Sequence, residues 1–248
     1  MRFYNDLAGV YDRLMSHVDF SAHVDFCLRI LSARGWKGRD ILEIACGTGT
    51  IMLELLHRGF EVTGLDNSPE MLARADQKIS ASGYVPRLIE QDMRRITVPG
   101  SYDLVLCSYD SLNYILQKKE LASVFKGVFQ ALRPGGMFLF DIDSEYRMRY
   151  VRGQNTFTFD EEDIFYSWRN DYDIKKQLCT MELDIFVLAG ENSYKRLQEL
   201  HIQRYYSPES IYELLVDSGF KQLGTYADHK RRKPSLLSER IFVLAKKV

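Results

Sequence analysis

A glycine-rich turn follows the first short apolar segment of the chain, and it strongly limits the folds that the chain can adopt. Residues 40–45 have the apolar character of a buried strand, Gly47 and Gly49 interrupt it, and residues 50–57 are predicted to form a helix. Glycine lets the backbone turn sharply and lets a ligand approach the main chain closely. A strand that passes through such a turn into a helix is typical of a parallel α/β sheet with a ligand at the turn.

The alternation of strand and helix continues to about residue 142. Ser68 and Pro69 mark a helix start, because serine caps a helix N-terminus well and proline fits its first turn. Such alternation implies parallel βαβ units with helices on both faces of one sheet. The predicted strands are residues 40–45, 60–65, 87–90, 102–107 and 137–142; a turn is predicted at 133–136, and helices at 19–33, 50–57, 118–132 and from Ser68 onward.

The pattern changes after about residue 150, where short alternating segments replace the strand-and-helix units. Four antiparallel strands are predicted there, at residues 156–159, 164–168, 178–186 and 194–206. A helix starting at Ser207 and Pro208 follows, with further strands at residues 220–226 and 239–245. The sequence therefore predicts an α/β fold with a mostly parallel seven-stranded sheet. Residues 1–149 and 207–248 would form the core, and residues 150–206 an inserted antiparallel lid over the substrate site.

The composition of the chain argues against several classes of partner and site but does not indicate a function. The 248 residues carry 33 Lys and Arg against 34 Asp and Glu, and this balance gives no global attraction to nucleic acid or to an anionic membrane. The four cysteines form no CxxC pair, so neither a metal site nor a disulfide framework is predicted. The N-terminus lacks the apolar run of a signal peptide, and no segment approaches the roughly 20 apolar residues that span a bilayer. We therefore expect a cytoplasmic protein.

Three carboxylates stand at the ends of three successive predicted strands, at Glu43, Asp66 and Asp92. A carboxylate at Glu43, close to the glycines, would repel a pyrophosphate but would attract an ammonium or sulfonium group. Asp66 has the position of a ribose-binding acid, and Asp92 could accept a hydrogen bond from an adenine amino group. Met52 occupies the place where a dinucleotide fingerprint needs a third small residue. The pattern favours a cationic adenosyl cofactor, although simple capping roles for these acids stay open, most of all for Asp92.

Four segments complete this pattern and together resemble a known family. They are Leu42-Glu43-Ile44-Ala45-Cys46-Gly47-Thr48-Gly49, Gly64-Leu65-Asp66-Asn67-Ser68-Pro69-Glu70-Met71-Leu72, Gln91-Asp92-Met93 and Leu132-Arg133-Pro134-Gly135-Gly136. The chain resembles the class I S-adenosylmethionine-dependent methyltransferases, which have a Rossmann-like fold, and the resemblance covers nearly all of its length. The opening segment from Tyr4 to Asp12 also looks like the start of a small-molecule branch that often has a lid after the fifth strand.

The resemblance implies S-adenosylmethionine as the cofactor. It also implies which residues contact each part of that cofactor. The glycine loop would lie under the methionine part, Asp66 would hold the ribose, and Asp92 with the Met93 backbone would recognise the adenine. Tyr11 would close over the cofactor from the N-terminal segment. The implied cofactor-binding residues are Tyr11, Glu43, Ala45, Gly47, Gly49, Asp66, Asn67, Met71, Asp92, Met93, Cys107 and Ser108.

The acceptor side is less explicit in the sequence. Asp110 or Asn113, after the fourth strand, could orient an amine or hydroxyl, or could simply form a polar turn. His201 could act as a base if it faces the pocket, because its unperturbed pKa lies near neutrality, although a lone strand histidine is more often structural. The other histidines, His23 and His229 among them, show no evident partner. The remaining candidates for the substrate pocket are Tyr4, Tyr114, Tyr166, Trp168 and Arg204.

The sequence thus predicts a methyltransferase that acts on a nitrogen or oxygen of a small molecule. An RNA or protein methyltransferase and an inactive cofactor-binding module remain alternatives, and a nicotinamide-dependent oxidoreductase is disfavoured. The one basic run, Lys230-Arg231-Arg232-Lys233, is more typical of a solvated loop than of a nucleic-acid site. We expect no membrane partner and a monomer or homodimer.

Overall fold

The computed structural model describes residues 7–98, 100–161, 163–190 and 193–248. The strands in this part of the chain are β1 (Asp40–Ile44), β2 (Glu61–Asp66), β3 (Leu88–Glu90), β4 (Tyr102–Cys107), β5 (Leu132–Asp143), β6 (Thr156–Glu161), β7 (Ile164–Asp173), β8 (Leu178–Gly190), β9 (Ser193–Arg204), β10 (Phe220–Ala227) and β11 (Arg240–Lys247). The α-helices are α1 (Tyr11–Leu14), α2 (Phe20–Ser32), α3 (Thr50–His57), α4 (Pro69–Ala81), α5 (Lys118–Ala131) and α6 (Pro208–Asp217).

Seven strands form the main sheet, in the order β10-β11-β5-β4-β1-β2-β3. The β1, β2, β3, β4 and β5 strands pair in parallel, and β11 runs antiparallel to both of its neighbours, β5 and β10. One apolar cluster lies between the sheet and α5 and α6, and a second packs α2, α3 and α4 against the other face. The predicted mostly parallel sheet with helices on both faces is therefore confirmed.

Local sequence signals account for most element boundaries. The Ser68 hydroxyl accepts the Met71 N–H at 3.2 Å and Pro69 opens α4, while Ser207 and Pro208 start α6 in the same way. The turn predicted at residues 133–136 differs, because these residues form an irregular start of β5. The sheet register jumps there: Leu132 pairs with Tyr102, and the next pair is Met137 with Leu104.

The second sheet is the predicted antiparallel meander, in the order β6-β7-β8-β9. The β6, β7 and β8 strands are longer than expected, and β7 stays paired with β8 as far as Asp173 and Leu178. Exposed polar residues occupy alternate positions there, as an antiparallel sheet with one solvated face allows. The 1–149, 150–206 and 207–248 division into core and lid stays a prediction. No helix in the described ranges is long and apolar enough to cross a membrane.

Candidate active site

A cavity of about 350 Å³ opens at the carboxyl ends of β1, β2 and β4. The chain runs outward from β1 to β2 and β3 and then returns to place β4 on the other side of β1, so the cavity lies at the switch point of the strand order. One end is polar, with carboxylates from β1 and β2. The other is lined mostly by aromatic and apolar side chains, namely Phe20, Tyr109, Tyr114, Ile115, Leu116 and Ile202.

The glycine loop forms the floor of the polar end. Ala45 and Gly47 line the cavity with positive φ angles of 55° and 54°, and a Cβ added at Gly47 would meet nothing within 4 Å. Gly49, with a φ of 72°, has a different role: it precedes α3, and an added Cβ would lie 3.0 Å from the Ala75 Cβ on α4. Gly47 thus keeps the main chain open to a ligand, whereas Gly49 lets α3 and α4 pack closely.

Glu43 contributes a buried negative group to this end. Its side chain is 3% exposed, yet it lines the cavity, and Oε2 has no hydrogen-bond partner among the described residues. Burial, followed by the charge of Asp66, raises the pKa of Glu43 well above its usual value. An orphaned buried carboxylate oxygen suits a ligand with a positive charge, as the sequence argument required.

Asp66 braces the loop from the end of β2. Its two oxygens accept the Gly47 N–H at 2.8 Å and the Ser68 N–H at 2.9 Å. Burial raises the pKa of Asp66, and these hydrogen bonds oppose that rise. Each carboxylate oxygen can accept more than one hydrogen bond, so Asp66 retains capacity for ligand hydroxyls. Asn67 and Met71 also line the cavity beside it.

Asp92 lines the cavity but has a strong partner within the chain. It caps the short 3-10 helix Met93–Arg95 by accepting the Arg94 N–H, and it also pairs with the Arg94 guanidinium. Burial alone would raise the pKa of Asp92, but the hydrogen bonds and charge of Arg94 outweigh it and lower the pKa. Asp92 therefore has the capping role that the sequence left open. It also lines the cavity, together with Met93.

The N-terminal segment reaches the cavity through Tyr11, on α1. Burial, followed by the charge of Asp110, raises the pKa of the Tyr11 hydroxyl. The next residue, Asp12, accepts a hydrogen bond from the Thr48 hydroxyl at 2.6 Å and pairs with the Lys78 ammonium at 2.7 Å. These contacts attach α1 to the glycine loop. Tyr4, predicted for the substrate pocket, lies outside the described residues.

The end of β4 carries a contact that the sequence did not predict. Ser108 lines the cavity, and its hydroxyl lies 3.0 Å from Nε2 of His23, whose Nδ1 lies 2.9 Å from Nε2 of His229. The two histidines are 206 positions apart, so no sequence pattern could have paired them. Burial lowers the pKa of His23 well below its usual value. Cys107, by contrast, is fully buried in the core and does not line the cavity.

Asp110 belongs to a buried ionic cluster rather than to the cavity wall. It pairs with Arg240 at 2.9 Å and accepts a 2.6 Å hydrogen bond from the Gln203 amide. Burial would raise the pKa of Asp110, but the positive charge of Arg240 lowers it strongly. Behind it, Arg240 also pairs with Asp141, and Arg152 pairs with Asp143 at 2.7 Å. The charge of Asp110 is therefore already balanced by arginine side chains of the protein rather than available to a ligand.

Asn113 is fully buried and both ends of its amide are used. Nδ2 donates to the Arg204 carbonyl at 2.8 Å, and Oδ1 accepts the Asp143 N–H at 3.0 Å. The Arg204 side chain donates to the Leu116 carbonyl at 2.6 Å. Asn113 and Arg204 therefore join β5 and β9 to the turn after β4, and neither lines the cavity.

His201 stands one layer behind the cavity wall. It is 2% exposed, and its Nδ1 lies 3.1 Å from the hydroxyl of Tyr114, which does line the cavity. On the far side, His201 Nε2 lies 2.9 Å from a carboxylate oxygen of Glu199. The structure thus brings Tyr114 and His201 together, and it adds Glu199, which the sequence analysis missed.

Tyr166 and Trp168 lie on the inner face of the second sheet, beyond the cavity wall. Tyr166 stacks on Phe159 with ring centroids 5.3 Å apart and packs near the N-terminal segment. Trp168 lies under the Arg152 guanidinium, 5.3 Å from it. Their positions fit a packing seam better than a substrate cage. The basic run at 230–233 is exposed in the loop between β10 and β11.

Sequence and structure comparisons find relatives along the whole chain. Residues 41–136 match a family model described as a methyltransferase domain. The chain is 40% identical over 245 residues to a protein of Bacillus subtilis (strain 168) that is named as the methyltransferase YqeM. The match covers 98% of this chain and 97% of that protein. An S-adenosylmethionine-dependent methyltransferase from Clostridium acetobutylicum ATCC 824 is 35% identical in its crystal structure, with a TM-score of 0.88 and 99% of both chains covered. The fold is also that of CalS10 from Micromonospora echinaspora, an amino pentose methyltransferase with bound S-adenosylmethionine (20% identity, TM-score 0.75, 100% of this chain and 98% of that chain covered).

Proposed function

Because the chain belongs to the class I S-adenosylmethionine-dependent methyltransferases, we propose that it transfers a methyl group to a nitrogen or oxygen atom of a small molecule. One observation carries this proposal: a single cavity joins the Glu43 and Asp66 carboxylates to an aromatic and apolar end at Tyr114 and Ile202. S-adenosylmethionine supplies a methyl group already activated by a positive sulfur. The protein then has to hold, align and desolvate the two reactants, and such positioning contributes several kcal/mol to catalysis.

The polar end has groups that fit the cofactor. Glu43 would pair with its ammonium group, since this buried carboxylate has an oxygen with no partner among the described residues. Asp66 would accept the ribose hydroxyls while it continues to hold the glycine loop through Gly47. Asp92, Met93 and Arg94 would border the adenine, with the Asp92–Arg94 pair shaping that wall. Tyr11 would cover the cofactor from the N-terminal side.

The other end has the mostly apolar and aromatic lining that is typical of a small-molecule pocket. Tyr109, Tyr114, Ile115 and Leu116 come from the segment after β4, and Ile202 comes from β9 of the second sheet. Residues 150–206 would act as a lid that keeps water from the reaction, which strengthens the polar interactions inside. CalS10, an amino pentose methyltransferase, has this fold, and that similarity supports a small molecule as the acceptor here.

An acceptor screen with methyl-labelled S-adenosylmethionine tests the proposal. The enzyme is incubated with a cell extract separated into a small-metabolite filtrate, an RNA fraction and a protein fraction. We expect label in the filtrate. Label confined to RNA or protein would overturn the small-molecule proposal, and the exposed run at 230–233 would then be the first surface to examine.

Cofactor binding is tested separately by heat stability and calorimetry. S-adenosylhomocysteine should raise the melting temperature, whereas NAD should not, because a pyrophosphate would face Glu43 and Asp66. Asp66→Ala should weaken S-adenosylhomocysteine binding by about tenfold to a hundredfold, the usual value of hydrogen bonds to a charged group. Unchanged affinity in this variant would refute the ribose-binding role of Asp66.

A further inference from the structure

Three hydrogen-bonded side chains lead from the cavity to the surface of the protein. The Ser108 hydroxyl lies 3.0 Å from His23 Nε2, and His23 Nδ1 lies 2.9 Å from His229 Nε2. Ser108 lines the cavity, His23 is 1% exposed, and His229 is exposed in the loop between β10 and β11. The chain of hydrogen bonds therefore begins at the cavity and ends at solvent.

Aromatic packing holds the middle member of this chain in place. The His23 ring stacks on Tyr109 with centroids 4.6 Å apart, and the Phe242 ring lies 5.7 Å away. Burial raises the pKa of the Tyr109 hydroxyl, so this ring stays neutral beside His23. The packing restricts rotation of the imidazole, which keeps its two nitrogens facing Ser108 and His229.

The two hydrogen bonds can reverse direction together, because a neutral imidazole has one protonated and one unprotonated nitrogen. In a first arrangement the Ser108 hydroxyl donates to His23 Nε2, and His23 Nδ1 donates to His229 Nε2. In a second arrangement His229 Nε2 donates to His23 Nδ1, and His23 Nε2 donates to the Ser108 oxygen. A change from the first to the second moves one proton from the cavity end to the solvent end and leaves all three groups neutral.

The surroundings of both histidines favour passage of a proton over its retention. Burial, followed by the charges of His229 and Arg240, lowers the pKa of His23 well below its usual value. Burial, followed by the charge of Arg240, also lowers the pKa of His229, although Asp141 and Asp228 oppose this. A proton that reaches either ring near neutral pH is therefore passed on, since the charged form is disfavoured there.

We propose that Ser108, His23 and His229 carry a proton from an amine acceptor in the cavity to solvent, which frees the electron pair of the amine nitrogen for methyl transfer. This inference rests on the proposed methyltransferase function and names the acceptor class more closely. Ser108 would be the catalytic residue, since it alone of the three lines the cavity. A hydroxyl donates one hydrogen bond and accepts two, so its contact with His23 leaves capacity for the acceptor. His23 and His229 would be positioning residues that act through Ser108.

The proton balance of this step is complete. One N–H bond of the ammonium form of the acceptor breaks, its electron pair stays on nitrogen, and the proton forms an O–H bond at Ser108. The original Ser108 proton moves to His23 Nε2, the His23 Nδ1 proton moves to His229 Nε2, and the His229 Nδ1 proton passes to water. After product release, water in the open cavity takes a proton from Ser108 and solvent returns one to His229 Nδ1, so the transfers run in reverse and restore the first arrangement.

A chain of neutral groups also selects between acceptor classes. An alkylammonium group has a pKa of about 10.4, as lysine does, so it must lose a proton before its nitrogen can attack the methyl group. An aliphatic hydroxyl is far less acidic, and its alkoxide would need a positive group for stabilisation, which these three side chains do not supply. We therefore expect amines to be methylated in preference to alcohols of the same skeleton.

The hydrogen-bond chain can be measured without any acceptor. Nitrogen-15 NMR of histidine-labelled protein bound to S-adenosylhomocysteine should show a coupling between nitrogens of two imidazole rings, transmitted through their shared proton. Both rings should be neutral near neutral pH. His23→Gln and His229→Gln should each abolish the coupling. Its absence from the wild type, or its persistence in either variant, would overturn the proposal whether or not the proposed function holds.

Kinetics then test whether the chain carries the proton. With the small-metabolite filtrate and labelled S-adenosylmethionine, Ser108→Ala and His23→Gln should each slow methyl transfer about a hundredfold, the usual contribution of acid–base catalysis. The double variant should be no slower, because either change interrupts the whole route. The label should be bonded to nitrogen in the products. Full activity in either single variant, or label confined to methyl ethers, would contradict the proposal.

His229 offers a test that needs no substitution in the core. Its φ is 56°, a left-handed conformation that glycine adopts readily, so His229→Gly removes the ring without adding backbone strain. Methyl transfer should slow at least about tenfold, while S-adenosylhomocysteine binding should stay within about twofold. Added imidazole should restore the rate by occupying the place of the missing ring. A purely structural role for His229 predicts no response to imidazole, and that result would overturn the proposal.

Two variants at exposed positions are the matched controls. His17→Gly removes an exposed histidine, and Ser123→Ala removes an exposed hydroxyl from α5. Both should keep the wild-type rate and show no response to imidazole. If the wild-type protein binds S-adenosylhomocysteine but labels nothing in the filtrate, the small-molecule function fails. If it labels amines there but shows no coupling between histidines, the proton route alone is wrong.

Discussion

At the scale of single residues, Glu43 is a carboxylate in surroundings that disfavour its charge. Burial and the nearby Asp66 raise its pKa, and the charge of Lys78 only partly offsets this. Burying an ionised carboxylate without a positive partner is costly, so the protein accepts a penalty at this position. A cationic cofactor would remove that penalty, because its ammonium group would favour the ionised form.

Glu43 therefore predicts that cofactor binding is coupled to proton release. In the free protein the raised pKa keeps a fraction of Glu43 protonated, and a bound cation would lower that pKa, so affinity should increase as the pH rises through the titration of Glu43. Glu43→Gln should weaken S-adenosylhomocysteine binding about tenfold to a hundredfold and abolish the coupled proton release. Calorimetry in buffers of different ionisation enthalpy measures both quantities.

The control for this prediction is Glu213→Gln, which changes an exposed carboxylate on α6 that pairs with Lys118. It should bind S-adenosylhomocysteine like the wild type and release the same number of protons. If Glu43→Gln shows unchanged affinity and unchanged proton release, Glu43 does not face the ammonium group.

Residue roles were predictable from sequence where they depend on position along one strand. Glu43 and Asp66 each end a strand, and strand ends meet at one edge of a parallel sheet, so their meeting in one cavity follows from the chain order. The partners of Asp110 and His23 were not predictable, because Arg240 and His229 lie 130 and 206 positions away. Asp110 looked like a catalytic candidate because its charge was visible in the sequence while its buried cation was not.

At the scale of elements, the strands and most helices follow from apolar periodicity and from caps such as Ser68 and Ser207. The π-helix Arg147–Arg152 does not, since it depends on the burial of Arg152 against Asp143 and Gln203. Three strands of the second sheet, β6, β7 and β8, were predicted too short for a related reason. Pairing with neighbouring strands extends them into polar segments where the apolar pattern has already ended.

Asn113 links the second sheet to the first, and we expect this link to contribute to the stability of the protein. Its amide links the Asp143 N–H of β5 to the Arg204 carbonyl of β9, and all of its polar atoms are buried. Asn113→Ala should lower the free energy of unfolding by about 2 kcal/mol, because it leaves buried polar groups without their partner. Urea unfolding with linear extrapolation measures the change.

The comparison for this variant is Asn155→Ala, at an exposed asparagine that donates to the Val151 carbonyl. We expect a change within about 0.5 kcal/mol for such a surface substitution. Equal stabilities of the two variants would mean that Asn113 is not a significant tether.

At the scale of the whole molecule, the cavity depends on contacts between segments far apart in the chain. Arg240 of β11 reaches Asp110 after β4, and Gln203 of β9 reaches the same carboxylate. His23 of α2 joins Ser108 to the loop that contains His229. The sheet order explains the contact between Arg240 and Asp110, since β11 lies beside β5, which lies beside β4.

The His23–His229 contact predicts an acid sensitivity of the whole fold. Burial, followed by the charges of His229 and Arg240, lowers the pKa of His23 well below its usual value, and burial also lowers the pKa of His229. Below about pH 6.5, the ordinary histidine pKa, these histidines bind protons in the unfolded chain but stay neutral in the folded protein. The free energy of unfolding should therefore fall as the pH drops below this value, by up to about 1.4 kcal/mol per pH unit for the buried His23 and by less for the more exposed His229.

His23→Gln should flatten this dependence, because glutamine keeps a polar group near Ser108 but does not titrate. The measurement is the urea unfolding free energy of both proteins from about pH 5 to pH 7.5, a range that brackets the histidine pKa. The difference in slope is the result, so a uniform loss of stability in the variant does not affect it. The exposed His17, changed to glutamine, should leave the slope unaltered. Parallel curves for wild type and His23→Gln would show that His23 takes up its proton in the folded state, and the description of His23 as a buried neutral histidine would then have to be abandoned.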